Sequence, residues 1–385
     1  MASDASGQKA RQHPLRRRFS PYPWIVALVS IAVAIGLGEG VVRASLFHTS
    51  LEFASQDPEY YARSLDELWI YRHIFSAAKP WAVGVLGAQP SNETGIEFYR
   101  KWAASLTPDA ELGYVRAPGI RTPCHETTNL ATRGIGEASW TGPKIVFVGD
   151  SVVESAACSN DTLTTKVQKL TGIETLNFGV GGYGVDQIFL YWKRLVPQCD
   201  RNDCLFLIGV IQDDLGRMLL SVRTSPKPYF AIREGKLALQ TSHIHPASLD
   251  DAFERPPERF YLYYFLRGRL GYLIYRSLLQ ETQAQRLVSQ YALSTLIFRE
   301  MAALKKKGQF EIAFVVFPTP GNPFDGKVLS LLRAEGLRYV DLQGCLKGQP
   351  DTDMYAELHP TSRGNELLAQ CLVRDLSAMG LLKPN

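Results

Sequence analysis

From residue 144 onward, short apolar runs alternate with segments whose apolar positions recur at helical spacing. Apolar runs of this length, bounded by turn residues, are typical of strands inside a parallel sheet. The predicted strands are residues 145–148, 174–178, 204–211, 311–317 and 338–342. The predicted helices are a segment from just after Ser151 through Leu170 and residues 185–196, 292–307, 327–335 and 362–379. This order predicts an α/β fold, a mainly parallel sheet with helices on both faces.

The alternation is interrupted by an insertion at about 216–290. It contains a Lys227-to-Phe230 segment (KPYF), a predicted hairpin around Glu234 and Gly235, and a turn at residues 256–257 (PP). It also contains an aromatic block at residues 260–265 (FYLYYF). Such insertions often determine specificity. The block either stacks on sugar rings or belongs to an amphipathic helix that packs on the core or rests on a membrane surface.

Residues 19–38 form an uncharged apolar stretch after a basic N-terminal tail. About twenty apolar residues in a helix match the hydrocarbon core of a bilayer, and the positive tail favours a cytoplasmic N-terminus. A cleaved signal peptide and a buried core helix are the other interpretations, but no small-residue cleavage site follows the stretch. We predict a basic cytoplasmic tail at 1–20, a transmembrane anchor at 21–45, a membrane-proximal helical and loop region at 46–110 and the main domain at 111–385.

The positive charge of the chain lies in its tail. The formal net charge is +4, and residues 1–20 hold five basic residues against Asp4, so the remainder is neutral. A neutral main domain without a basic stripe argues against nucleic-acid binding.

All six cysteines follow the apolar stretch. A domain outside the cytoplasm meets an oxidising compartment in which cysteines pair. Their proximity in sequence suggests a disulfide between Cys199 and Cys204, whereas buried free thiols in a reducing cytosol are the alternative. No C-x-x-C pair that would indicate a zinc site is present.

Polar residues follow several predicted strands, at the edge where open parallel sheets bind ligands. Ser151 comes directly after the first strand and opens a helix, where backbone N–H groups face a developing oxyanion. His359 is the candidate base, and Glu357 is the candidate acid that holds the imidazole. The alternatives are a helix N-cap for Ser151 and a solvated loop residue for His359. His243 and His245 form an H-x-H pair without an evident third ligand, so we predict no metal site.

Three sequence blocks resemble those of the SGNH, or GDSL-type, hydrolases. They are Gly149-Asp150-Ser151, residues 177–187 (NFGVGGYGVDQ) and residues 357–365 (ELHPTSRGN). Residues 129–134 (NLATRG) resemble a segment often found before the first block in membrane-anchored members. The resemblance covers roughly residues 111–385 without the insertion. It implies a flavodoxin-like three-layer α/β/α sandwich, serine esterase or acyltransferase chemistry, and no metal or organic cofactor.

The resemblance also implies roles for individual residues. Ser151 would attack an ester carbonyl, and His359 would take and return the proton. The oxyanion hole would be formed by the N–H groups of Ser151 and Gly182 and by a side chain of the third block.

The third block and the acid depart from the family pattern. Where the family has Asn before Asp, this chain reads Gln212-Asp213-Asp214. An ionised Asp213 would repel the oxyanion, so either burial keeps it protonated, or Gln212 supplies the amide, or activity is reduced. Many members have Asp three residues before the His, where this chain has Ala356; Glu357 matches a minority pattern, with Asp353 as the fallback.

These observations predict a single-pass inner-membrane protein whose main domain lies in the periplasm or outside the cell. The predicted activity is that of a serine esterase or acyltransferase on O-acyl esters, acetyl esters above all, of envelope or exopolysaccharide glycans. The predicted partners are an acylated glycan or other ester substrate and the membrane, with no nucleic acid. The alternatives are a catalytically impaired glycan-binding or assembly subunit and a lipid esterase.

Overall fold

The computed structural model describes residues 21–47, 105–199, 203–220, 227–241, 260–308, 310–356 and 359–382. The helices of these residues are α1 (Tyr22–Phe47), α2 (Ser151–Glu154), α3 (Leu163–Thr171), α4 (Val185–Leu195), α5 (Gln212–Arg217), α6 (Tyr261–Gly308), α7 (Gly326–Ala334), α8 (Asp351–Met354) and α9 (Ser362–Ala378). The strands are β1 (Leu106–Asp109), β2 (Gly113–Arg116), β3 (Lys144–Gly149), β4 (Glu174–Gly179), β5 (Cys204–Val210), β6 (Tyr229–Arg233), β7 (Lys236–Gln240), β8 (Glu311–Val316), β9 (Arg338–Asp341), β10 (Tyr355–Ala356) and β11 (His359–Pro360).

The centre of the fold is a five-stranded parallel sheet in the order β4-β3-β5-β8-β9. Every residue of β3 and β5 is buried. Ile145 and Phe147 pack on one face of the sheet, and Val146 and Val148 pack on the other, because successive side chains of a strand point to opposite faces. The strand order is that of the flavodoxin-like doubly wound fold, so the predicted α/β class is confirmed.

Helices cover both faces of this sheet and complete a three-layer sandwich. One face packs on α4, α7 and the C-terminal part of α6, with Trp192 and Phe298 fully buried. The other face packs on α2, α3 and α9, with Val167 and Leu368 fully buried. Continuous apolar strands are therefore needed, since neither face of the sheet meets solvent.

The helix predicted through Leu170 is divided in the structure. α2 ends at Glu154, and Ser155 follows with a φ of 73°, outside the helical region. The chain resumes as α3, whose N-cap Thr162 accepts a hydrogen bond from Thr165 N over 3.2 Å. The sequence pattern missed the break because Ser155 is not a helix-breaking residue and only the local packing imposes its conformation.

The helix predicted at residues 292–307 is also longer than expected. α6 spans 48 residues and includes residues 261–265 of the aromatic block, which the sequence pattern places in the insertion. No proline interrupts residues 258–317, so nothing in the sequence stops the helix there. The hairpin predicted in the same insertion is confirmed: β6 and β7 pair antiparallel, and Glu234 and Gly235 turn the chain with φ values of 51° and 72°.

A hairpin of β1 and β2 packs on the sandwich, and its first strand lies before the predicted start of the main domain at residue 111. Leu106 is buried in the core, and Asp109 accepts two hydrogen bonds, of 2.7 and 2.9 Å, from the guanidinium of Arg194 on α4. The alternating pattern of these four-residue strands is too short to reveal them in the sequence.

The six cysteines form three disulfides, Cys124–Cys158, Cys199–Cys204 and Cys345–Cys371. The pairing predicted from proximity is among them, with Cα atoms 6.0 Å apart. Disulfides of this kind indicate an oxidising compartment.

The N-terminal helix α1 contains an apolar segment, Tyr22–Val41, with a mean hydropathy of 2.0. None of this segment is buried against the rest of the described chain, which argues against a core helix. Its length and composition fit either a membrane anchor or an N-terminal signal sequence.

Several predictions lie outside the described residues. They concern the basic tail at 1–20, residues 48–104 of the membrane-proximal region, His243 and His245, the turn at 256–257, and Glu357.

Candidate active site

The candidate nucleophile Ser151 lies where β3 passes into α2. Asp150 is the N-cap of α2 and accepts a hydrogen bond from Val152 N over 2.9 Å, which fixes the turn. Gly149 and Gly209 leave room for this turn, because a Cβ on either glycine would collide with the side chain of Val153. The serine is thereby held at the carboxyl edge of the sheet, at the first residue of a helix.

The candidate base His359 is carried by the short β10–β11 hairpin in front of α9. Thr361 caps α9 and accepts a hydrogen bond from Gly364 N over 3.1 Å. Gly364 lies against the backbone of Met354, where a side chain would not fit. This packing places His359 Nε2 at 2.9 Å from Ser151 Oγ, which is hydrogen-bond distance.

The environment of His359 favours its neutral form. Burial lowers the pKa of His359 from its ordinary value of 6.5, and the guanidinium of Arg217 acts in the same direction, while the carboxylates of Asp150 and Glu154 oppose the shift. A general base acts only when it is unprotonated. His359 is therefore available as a base at neutral pH.

This shift predicts the pH profile of an esterase reaction. The acid limb of kcat/KM for 4-nitrophenyl acetate should have its midpoint below pH 6.5, since the base loses its proton at a lower pH than free histidine. The measurement is the initial rate of ester hydrolysis from pH 4.5 to 8, corrected with the Ser151→Ala protein for spontaneous hydrolysis. A midpoint clearly above pH 6.5 would contradict this environment for His359.

Two backbone N–H groups near the serine donate to no acceptor among the described residues. They belong to Ser151, in the first turn of α2, and to Gly182, in the glycine-rich turn after β4. The two turns are neighbours, because β3 and β4 pair in parallel and Val180 N donates to Gly149 O over 3.0 Å. Gly182 has a φ of 82°, which a residue with a side chain rarely adopts. Free N–H groups in this place are suited to stabilise an oxyanion.

The side chains of the third block point to other partners. Asp213 is 40% exposed, and its Oδ1 accepts a hydrogen bond from Asn322 Nδ2 over 2.7 Å. Asp213 is therefore not a buried side chain. Gln212 Oε1 accepts a hydrogen bond from Asp325 N over 2.9 Å, which directs this side chain towards the loop before α7.

Arg217 was missed by the sequence analysis and lies at the centre of a group of three carboxylates. Its Nη1 is 2.9 Å from Asp150 Oδ2 and 2.8 Å from Asp214 Oδ1, and its Nη2 is 3.8 Å from Asp213 Oδ2. Asp150 Oδ2 in turn lies 3.4 Å from Ser151 Oγ. Arg217 thus balances the buried charge beside the nucleophile. The three- and four-residue spacing of these acids from an arginine on one helix is a signal that the sequence does contain.

The third member of a triad stays a prediction. The Nδ1 atom of His359 is buried and has no hydrogen-bond partner among the described residues. Glu357, the predicted acid, lies outside them, and the fallback Asp353 is exposed. A buried N–H needs an acceptor, and a carboxylate such as the predicted acid is one group that could supply it.

The described residues thus contain a serine in hydrogen-bond contact with a histidine and two free backbone donors. A histidine that accepts the serine proton makes the hydroxyl nucleophilic, and N–H groups stabilise the tetrahedral anion that forms. This arrangement is suited to acyl transfer. No group of three His, Cys, Asp or Glu side chains that could hold a metal ion occurs in the described part of the chain.

No family model matches the chain, and no curated protein matches its sequence. Solved structures are similar to part of it. A lipolytic protein of the G-D-S-L family from Desulfitobacterium hafniense DCB-2 is 11% identical with a TM-score of 0.34, and the match covers 60% of this chain and 99% of that one. A two-domain esterase (CEX) active on acetylated mannans is 12% identical with a TM-score of 0.34, over 63% of this chain and 51% of that one.

A family two carbohydrate esterase from Clostridium thermocellum, solved with cellohexaose, is 10% identical with a TM-score of 0.34, over 65% of this chain and 68% of that one. Identities and TM-scores of this size carry no argument about activity. The chain is similar in structure to G-D-S-L lipolytic proteins and carbohydrate esterases, the kind of protein that its sequence blocks resemble.

Proposed function

We propose that this protein is a serine esterase or acyltransferase that acts through Ser151 and His359. The observation that carries the proposal is the 2.9 Å separation of His359 Nε2 and Ser151 Oγ at the carboxyl edge of the sheet. The free N–H groups of Ser151 and Gly182 support it, because acyl transfer requires donors for the oxyanion. Glu357 is proposed as the acid on Nδ1 of the histidine.

The proposed reaction has two steps. His359 Nε2 takes the proton of Ser151 Oγ while the oxygen attacks the ester carbonyl, and the tetrahedral anion is held by the N–H groups of Ser151 and Gly182. The anion collapses to an acyl-serine, and His359 gives the proton to the departing alkoxide oxygen. Water or a sugar hydroxyl then attacks the acyl-serine, with His359 taking its proton and returning it to Ser151. The acceptor in this second step distinguishes a hydrolase from a transferase.

The proposed substrates are acetyl esters of envelope or exopolysaccharide glycans. Asp213 supports this class, because a partly exposed carboxylate accepts hydrogen bonds from hydroxyl groups, which glycans supply and acyl chains lack. The apolar helix α1 and the three disulfides support a domain that is anchored in the membrane and lies outside the cytoplasm, with the N-terminus inside.

A second candidate function is a glycan-binding or assembly subunit with impaired catalysis. Asp213 is also the observation that favours it, since a carboxylate at the position of an amide donor weakens the oxyanion hole. The two candidates differ in turnover: an esterase releases acid from an ester, and a binding subunit retains the ester unchanged.

Covalent trapping of Ser151 tests the proposed function. The full chain in detergent micelles is treated with diethyl 4-nitrophenyl phosphate, whose phosphorus is attacked by an activated serine with release of 4-nitrophenolate. We expect one diethylphosphoryl group on the peptide that contains Ser151, found by mass spectrometry, and a parallel loss of 4-nitrophenyl acetate hydrolysis.

The matched control is Ser377→Ala, which removes an exposed serine near the end of α9 and should be trapped like the natural protein. A folded protein that neither hydrolyses the ester nor takes up the reagent would contradict the proposed activity.

A further inference from the structure

The peptide group between Gly181 and Gly182 presents one of the two free donors of the site. Its carbonyl oxygen belongs to Gly181 and its N–H to Gly182, and both lie in one plane. Whatever fixes the carbonyl therefore also fixes the direction of the N–H. Because both residues are glycines, the backbone on either side of this plane has no side chain to restrict it.

The carbonyl of this peptide group accepts a hydrogen bond from the hydroxyl of Tyr114 over 3.0 Å. Tyr114 is fully buried on β2, and its ring meets the edge of Tyr183 with centroids 5.4 Å apart. The hairpin that carries Tyr114 is held on α4, where Gln187 Nε2 donates to Leu112 O over 2.8 Å. The hydroxyl is thus a fixed donor in an apolar environment.

The N–H group of Gly181 is also held by a hydrogen bond. Gly181 N donates to Glu154 Oε2 over 2.6 Å, and Glu154, at the end of α2, forms a buried ion pair with Arg116 on β2. Arg116 Nη1 also contacts His125 Nε2 at 2.7 Å, and burial lowers the pKa of His125 to about 2, which keeps the ring neutral. Residues of the β1–β2 hairpin and of helix α2 therefore both hold the backbone of Gly181 in place.

We infer that Tyr114 is a positioning residue of the active site, whose hydroxyl aims the Gly182 N–H at the oxyanion. The inference rests on the proposed function and adds a residue that touches neither substrate nor nucleophile. A hydrogen bond to a peptide carbonyl also polarises the group and strengthens its N–H as a donor. Loss of the hydroxyl leaves the carbonyl unsatisfied in the interior and the peptide plane free to rotate.

Tyr114→Phe is the test, because it removes this hydroxyl and retains the buried ring. For hydrolysis of 4-nitrophenyl acetate by the full chain in detergent, we expect kcat to fall about tenfold and KM to stay within about twofold, since the lost interaction forms in the transition state. The affinity for a boronic acid that forms a tetrahedral adduct with Ser151 should fall by a similar factor.

Tyr183→Phe is the matched control. Its hydroxyl donates to the backbone carbonyl of Tyr114 over 2.5 Å and lies in the same buried aromatic cluster, but it does not bond the Gly181 carbonyl. We expect kcat of this variant to stay within about twofold of the natural protein, because the oxyanion donor is unchanged. Thermal unfolding of both variants, and assays well below their midpoints, separate loss of folding from loss of catalysis.

The outcomes are distinct. An active natural enzyme with an unchanged kcat in Tyr114→Phe would overturn the inference alone. Equal losses of kcat in both tyrosine variants would also overturn it, since they would indicate a structural effect of the aromatic cluster. A natural enzyme without esterase activity would instead contradict the proposed function on which the inference depends.

Discussion

Replacement of Ser151 by alanine is expected to lower kcat/KM for 4-nitrophenyl acetate by about 10⁴-fold or more. The serine hydroxyl supplies the bond that forms in the first step, and no other hydroxyl lies within hydrogen-bond distance of His359 Nε2 among the described residues. The measurement is the initial rate of 4-nitrophenolate release by the full chain in detergent. His359→Ala should cause a loss of similar size, because a serine without a base is a weak nucleophile.

The double variant gives a sharper test than either replacement alone. Two residues that act in the same catalytic step have non-additive effects on the rate. The double variant Ser151→Ala/His359→Ala should therefore be no slower than Ser151→Ala alone. Ser377→Ala serves as the control and should retain the natural rate. Full activity in the folded Ser151→Ala protein would show that another residue performs the reaction and would refute the assignment of the nucleophile.

Replacement of Asp213 by asparagine is expected to raise kcat for the same small ester by about 10²-fold, the lower end of the effect of one oxyanion donor. Asparagine has the shape of aspartate, and its Oδ1 can still accept the hydrogen bond that Asn322 Nδ2 gives to Asp213. If Asp213 lies at the oxyanion hole, as the resemblance implies, the NH₂ group adds a donor there and the substitution removes a charge that repels the oxyanion. The measurement is kcat of the variant and the natural protein under identical conditions.

The same variant separates the two candidate functions. If the natural protein binds an acetylated oligosaccharide without turning it over, and Asp213→Asn hydrolyses it, the natural protein acts as a binding subunit. Glu335→Gln is a control of equal charge change on a carboxylate that pairs with Arg299 near the end of α7, and it should leave kcat unchanged. An equal or lower kcat in Asp213→Asn would mean that Asp213 does not face the developing oxyanion.

The bounds of the sheet strands could be predicted from the sequence because the hydrophobic pattern of each strand lies within the strand itself. β3 and β5 are continuous apolar runs that end at turn residues, and the structure places their ends within two residues of the prediction. The boundaries of α4 and α9 agree equally well, since a recurring apolar face defines both and the cap Thr361 marks the start of α9. Patterns of this kind are complete within about ten residues of sequence.

Other elements had no such local signature. The break after α2 depends on the positive φ of Ser155, which the surrounding packing imposes. The full length of α6 was not predicted, because the predicted insertion extends to about residue 290. The four-residue strand β1 is stable only where it pairs with β2 and packs on the sandwich, so its sequence alone does not mark it as part of the domain.

The sequence by itself determined the α/β class, the strands of the sheet and the positions of a serine and a histidine at the ends of its elements, because hydrophobic period and turn chemistry are short-range properties. Which of these residues come into contact depends on the three-dimensional packing. Ser151 and His359 are 208 residues apart in sequence, and Tyr114 and Gly181 are 67 apart. Contacts over such separations form through the packing of whole helices and strands around a shared core, and no window of the sequence contains that packing.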